Sequence, residues 1–143
     1  MKTITTIGIL LVSLLAAADD DGKKDLKAMQ GDWVGEKMVR DGMPFPDDSA
    51  QALFRTMKGN AYTVHRFRTK AGAGTLKLDA TKDPRQIDMT PDGGKAGTIL
   101  GIYKIDGDTL TICYAPPKGK RPEAFESKEG TGVTLSVWVR EKK

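Results

Sequence analysis

The chain has 143 residues, 38% of them hydrophobic, and a formal net charge of +4. That is enough for one domain with a real core, and too mild and too scattered a charge for a nucleic-acid surface. Its single histidine, His65, and single cysteine, Cys113, exclude an internal disulfide, a multi-histidine metal site and a thiolate cluster.

Lys2 precedes a mostly apolar run from Ile7 to Leu15, and Ala16, Ala17 and Ala18 lead into three aspartates. These are the parts of a secretory signal peptide. The run of about nine residues falls short of the about 20 that a membrane-spanning helix needs. The small residues at 16 and 18 suit cleavage after Ala18. Residues 1–18 are therefore expected to direct export, into a periplasm or out of the cell. Residues 19–143 are expected to form one domain with no stable membrane insertion after cleavage. Asp19, Asp20 and Asp21 lack the alternating ligands and glycine of a calcium loop and read as a solvated terminus.

Lys23 to Gln30 carries Leu26 and Met29 at helical spacing and predicts a short helix. A first strand is expected from Asp32 to Arg40, stopped by Asp41-Gly42 before Pro44-Phe45-Pro46, a segment unsuited to a ladder. Asp47 or Asp48 is placed to cap a short helix through Ala50, Ala52 and Leu53. Further strands are expected at Phe54–Lys58, Ala61–Thr69, Thr75–Asp79, Gln86–Thr90, Thr98–Ile105, Thr109–Ala115 and Val133–Glu141. Gly59-Asn60, the 71–74 stretch, 82–84 and 91–94 act as punctuation between them. The clearest unit is the hairpin around Asp106-Gly107-Asp108, where Asp-Gly supplies the left-handed backbone of a tight turn between β-branched and aromatic runs. The resulting fold class is all-β, an eight-stranded antiparallel up-and-down barrel with short N-terminal helical segments, which closes on itself and leaves no free edge.

Period-2 alternation selects an inner face: Tyr62, Leu76, Leu78, Ile87, Met89, Tyr103, Ile105, Leu110, Ile112, Tyr114, Leu135 and Val137, with Val139 continuing the last strand. These are the candidate interior or ligand-facing positions. In Ala61–Thr69, Tyr62 and Val64 share a face that Phe67 does not, and a bulge near His65 or Arg66 reconciles them. Cys113 points away from Leu110 and Ile112, as an inert thiol with no cationic neighbours to activate it.

The block from Leu100 to Pro117, followed by Arg121-Pro122, Phe125 and the closing Thr134-Leu135-Ser136-Val137-Trp138-Val139-Arg140, resembles an uncharacterised lipocalin-like domain family abundant in Planctomycetes. Gln30-Gly31-Asp32-Trp33 and Ile87-Asp88-Met89-Thr90-Pro91 are similar to that family's weaker marks. The resemblance covers about Asp25 to Lys142. It implies a lipocalin-like barrel and carries no activity, substrate or catalytic residue. Gly31-Asp32-Trp33 also resembles the start of true lipocalins, and this implies that Trp33 plugs the barrel base with Arg140 lying over it, a cation–π contact of about 1 kcal/mol. Arg140 shares its parity with Trp138 and not with Val137, so on the inner face assigned above it reaches Trp33 only by wrapping under the barrel end.

His65 is the one available base for a nucleophile, and parity gives no reason for it to meet Cys113. Asp92-Gly93-Gly94 lacks the lysine, hydroxyl and following helix of a phosphate loop. The sequence therefore points away from an enzyme, and no metal or cofactor is expected. Two functions remain. One is non-catalytic binding of a small apolar or amphipathic ligand, through an end rimmed by the loops around 44–48 and 116–128. The other is a protein-interaction or inhibitor module, with a side-chain-filled barrel and an exported protein as partner. A monomer is expected in either case.

Overall fold

The computed structural model describes residues 20–142; the signal-peptide reading of residues 1–18 lies outside them. Helix α1 covers residues 20–28. It is followed by β1 (Gly31–Arg40), the two-residue β2 (Met43–Pro44), α2 (Asp47–Gln51), β3 (Leu53–Lys58), β4 (Ala61–Arg66), β5 (Thr69–Asp79), β6 (Gln86–Pro91), β7 (Ile99–Asp106), β8 (Thr109–Tyr114) and β9 (Thr134–Arg140). From β3 to β9 each strand pairs antiparallel with the next. β9 then returns to β1, from Trp33↔Arg140 to Arg40↔Thr134. β1, β3, β4, β5, β6, β7, β8 and β9 thus form the expected closed eight-stranded antiparallel barrel.

Local chemistry corrects several boundaries. Pro44 does pair, opposite Val39, but only outside the ring at the end of β1, where a missing N–H is tolerated. The residue that starts α2 is Pro46, and Asp47 and Asp48 sit in its first turn without a side-chain cap. Leu53 belongs to β3. The 71–74 stretch is strand: β5 begins at Thr69, and the chain reverses at Phe67, which takes φ +55° and is 71% exposed. At Gly74 a side chain is excluded because the neighbouring backbone approaches closely. A Cβ on Gly74 would strike the Thr90 carbonyl oxygen and lie 2.7 Å from the Tyr62 hydroxyl. A register slip does lie between Val64 and His65, but the extra residue is Ala71 on β5, not one on β4, and Phe67 falls in the turn beyond β4 rather than on a strand face.

Most of the predicted inner face is inside. Tyr62, Leu76, Ile87, Met89, Tyr103, Leu110 and Ile112 are buried in one cluster, and Leu78, Ile105 and Tyr114 pack against it. The last strand is the exception. Leu135, Val137 and Val139 are only partly buried and face outward, while Thr134, Ser136 and Trp138 are buried and face in. An inward serine is tolerated because its hydroxyl is satisfied: Ser136 Oγ donates to the Ile112 carbonyl at 2.8 Å and accepts Trp138 Nε1 at 3.0 Å. On the outer face Leu135 sits across the ladder from Cys113, and Val137 lies with Pro44 and Phe45 along one groove.

The segment between β8 and β9 covers that outer face. Arg121 ties it down, donating to the Gly101 carbonyl at 2.7 Å, the Ile87 carbonyl at 3.2 Å and Asp88 Oδ1 at 2.6 Å. Lys104 Nζ lies 4.7 Å from the centre of the Phe125 ring. Cys113 is fully buried beneath it, its Sγ facing the carbonyls of Ala124 and Glu126, and burial pushes the thiol pKa up. That is the environment of an unreactive thiol.

At the end where β1 starts, called the lower end, α1 closes the barrel. Trp33, fully buried, donates its Nε1 proton to the Met29 carbonyl at 2.9 Å. The Arg140 guanidinium lies 4.2 Å from the Trp33 ring centre and donates to the carbonyls of Gln30 (2.8 Å) and Ala28 (2.7 Å). It thereby satisfies acceptors that the end of α1 leaves open. The expected Trp33–Arg140 contact is present. Its parity objection disappears because Trp138, which shares Arg140's face, points inward.

Asp25 of α1 accepts the Tyr103 hydroxyl at 2.6 Å and pairs with Arg85. Burial, then the bond to Asp25, hold the Tyr103 pKa well above the ordinary tyrosine value. A phenol with a raised folded-state pKa contributes stability that is complete below its unfolded pKa of about 10 and is lost as pH rises beyond it. Urea midpoints measured from pH 8 upward should therefore hold until near pH 10 and then fall. Tyr103→Phe should flatten that alkaline decline; an unchanged slope would show that Tyr103 is not its source.

Candidate functional site

Barrel strand β3 alternates Leu53, Arg55 and Met57 on one face with Phe54 and Thr56 on the other. Register opposite Tyr62 and Val64 of β4 turns the first set inward. An arginine thus occupies a slot whose neighbours along the strand are apolar. Arg55 is 4% exposed. Its guanidinium carbon lies 5.2 Å from the Tyr62 ring centre and 5.0 Å from that of Trp138, and Nη1 lies 4.0 Å from Met89 Sδ. Nε has no hydrogen-bond partner, and no carboxylate among the described residues pairs with the guanidinium.

The electrostatics follow from that placement. Burial lowers the Arg55 pKa below its ordinary value, opposed by Tyr114 and Tyr62. The Tyr62 pKa is raised, first by burial, with Arg55 acting against it and Asp92 and Tyr114 adding to it. The Tyr62 and Tyr114 phenols and the guanidinium therefore lie within electrostatic reach of one another. An isolated charge in such a place carries a desolvation penalty of several kcal/mol. Contacts with two aromatic faces offset part of it, at about 2 kcal/mol each when desolvated.

The upper end of the barrel, where β1 finishes, is partly covered by α2. Ala50 is buried there, and a Cβ on Gly35 would collide with the Ala50 carbonyl oxygen. Away from α2 the wall thins. The upper inward positions of β5 are Gly72 and Gly74; a Cβ on Gly72 would meet nothing within 4 Å, and the Tyr62 hydroxyl lies beside Gly74. Space is open at Gly72, while Gly74 is packed tightly against Thr90 and Tyr62.

Of the residues singled out from sequence, Tyr62, Met89 and Tyr114 gather about Arg55. Leu76, Ile87, Tyr103, Leu110 and Ile112 fill the rest of the interior, Leu78 and Ile105 its margin, and Trp33 with Arg140 the base. Leu135 and Val137 belong outside. Arg55 and Trp138 were missed. The available signal for the first was the Leu53-x-Arg55-x-Met57 alternation, in which arginine takes an apolar slot. His65 and Cys113 lie on strands that are not neighbours, so they form no nucleophile–base pair. Among the described residues no three of His, Cys, Asp or Glu cluster to hold a metal, and no helix is long and apolar enough to cross a membrane.

The fold places the chain among closed, lipocalin-like antiparallel barrels. Comparison with protein-family profiles, with curated proteins and with solved structures finds no match to it.

Proposed function

We propose that this is an exported, non-catalytic binding protein that takes a small amphipathic molecule into the upper half of its barrel, acting as a monomer and belonging to the Planctomycetes lipocalin-like family its sequence resembles. One observation carries the reading: a polar group inside the barrel, Arg55 Nε, is left without a partner by the protein's own atoms. Buried donors are almost always satisfied, and one that is not marks a place where something else supplies the acceptor. The open space at Gly72, in the upper half of β5, supports the same reading. Native mass spectrometry of protein purified without detergent tests it. The expected spectrum carries a second species heavier by one small molecule, released on acid denaturation. A single apo mass, together with no uptake from a mixture of added amphiphiles, would refute it.

A second reading, an interaction or inhibitor module, draws on Met43, which opens β2, and Phe67, in the β4–β5 turn, both 71% exposed and both at the upper end. Paired exposed apolar tips of that kind suit a protein surface. Crosslinking in the exported fraction distinguishes the two readings. A stoichiometric protein adduct that Phe67→Ser removes would favour the second.

A further inference from the structure

We propose that Arg55 is an anion site, and that the ligand it takes is an organic monocarboxylate with an apolar body. The inference rests on the binding reading above and names the chemistry of its polar end. The guanidinium carbon lies 5.2 Å from the Tyr62 ring centre and 5.0 Å from that of Trp138, so two aromatic rings crowd the group. What remains is its edge, where N–H donors lie in one plane. The side-on edge is the one formed by Nε–H and Nη2–H; Nε is unpartnered there, and Nη1, on the other side of the guanidinium, has only the Met89 sulfur at 4.0 Å, a weak acceptor.

A planar edge with two parallel N–H donors matches the two oxygens of a carboxylate, which bind it side-on through a pair of charge-assisted hydrogen bonds. Charge selects the same class. The site holds one positive charge that no carboxylate pairs, with Asp92 within electrostatic reach of Tyr62, so a monoanion neutralises the guanidinium and a phosphate dianion leaves one negative charge buried and unpaired. Tyr62, kept protonated by burial, offers a hydroxyl donor near the same point, and the Tyr114 phenol lies within reach of the charge. The lower half of the barrel is filled by Trp33, Met57, Ile112 and Tyr103. The carboxylate therefore enters head first and the apolar tail trails toward Gly72 and the mouth.

The test compares three eight-carbon amphiphiles, octanoate, octanol and octylamine, by calorimetry and by tryptophan fluorescence, in the wild-type protein, Arg55→Met and Tyr62→Phe. In the wild type octanoate should bind at least tenfold tighter than octanol, with octylamine weakest, and should perturb the emission of Trp138. Arg55→Met should lose the preference for octanoate while retaining octanol. Tyr62→Phe should lower octanoate affinity about fivefold and leave octanol unchanged, which gives a second reading if the first variant folds poorly. Equal affinities for octanoate and octanol in the wild type would overturn the anion site and leave the binding reading standing. So would a preference for octanoate that persists in Arg55→Met. Failure of all three compounds to bind would overturn both.

Discussion

Trp33→Ala is expected to remove about 3 to 5 kcal/mol of folding stability. The indole is fully buried in the core cluster and sits on the strand that closes the barrel, paired through β1 with Arg55 on one side and Arg140 on the other. A void there is bounded by two ladders and by α1, all held by backbone hydrogen bonds, so the walls have little freedom to collapse into it. Two further losses add to the cavity. The Met29 carbonyl loses the Nε1 donor at 2.9 Å, and Arg140 loses the ring 4.2 Å beneath its guanidinium. Urea unfolding should show a lower midpoint with an unchanged slope, the signature of lost stability without a change in the surface exposed. Trp33→Phe should lie between the two, keeping ring volume and losing the hydrogen bond. A loss below about 1 kcal/mol for the alanine variant would place Trp33 outside the core's main support.

The sequence made the barrel legible where local chemistry and long-range packing agree. Asp106-Gly107 reverses the chain between β7 and β8, and Leu110 and Ile112 face inward as their alternation predicts, because both the turn and the apolar parity are encoded within a few residues. β9 was misread for the opposite reason. Leu135, Val137 and Val139 form the more apolar set, and hydropathy alone turns them inward. The real inward set includes Ser136, whose hydroxyl is satisfied by the Ile112 carbonyl of the neighbouring strand, a partner no local pattern reveals. The outward set is sheltered in part by β2 and Phe45, which come from the other end of the sequence. The 71–74 stretch failed similarly. Gly74 answers to the closeness of Thr90 and Tyr62 across the sheet, not to a turn.

Arg55 was invisible for a sharper reason. Reading by hydropathy sends every arginine to solvent, and most arginines do lie there. Only the neighbouring slots, Leu53 and Met57, together with the barrel's closure, put it inside. A residue that violates its own pattern at a buried position is where function is expected to show, since the fold alone gains little from it.

Arg55→Met tests that asymmetry, and the expected result is that the ligand-free protein becomes more stable, by about 1 to 3 kcal/mol. Methionine follows the stem of the arginine and removes a charge that has no carboxylate to pair with, so the desolvation penalty of several kcal/mol vanishes. Opposing it are the stacks on Tyr62 and Trp138, at about 2 kcal/mol each, partly replaced by sulfur–aromatic contacts of about 0.3 to 1.5 kcal/mol. The balance favours the variant. Octanoate should then invert the ranking. A ligand at 100 times its dissociation constant stabilises the form that binds it by about 2.7 kcal/mol, and that increment belongs to the wild type alone. Thermal unfolding with and without octanoate measures both halves. A variant that is destabilised by more than about 2 kcal/mol, with or without octanoate, would make Arg55 a strut between two rings. A stabilised variant whose advantage disappears when octanoate is present shows a protein that keeps an unpaired charge in its core for the molecule that pairs it.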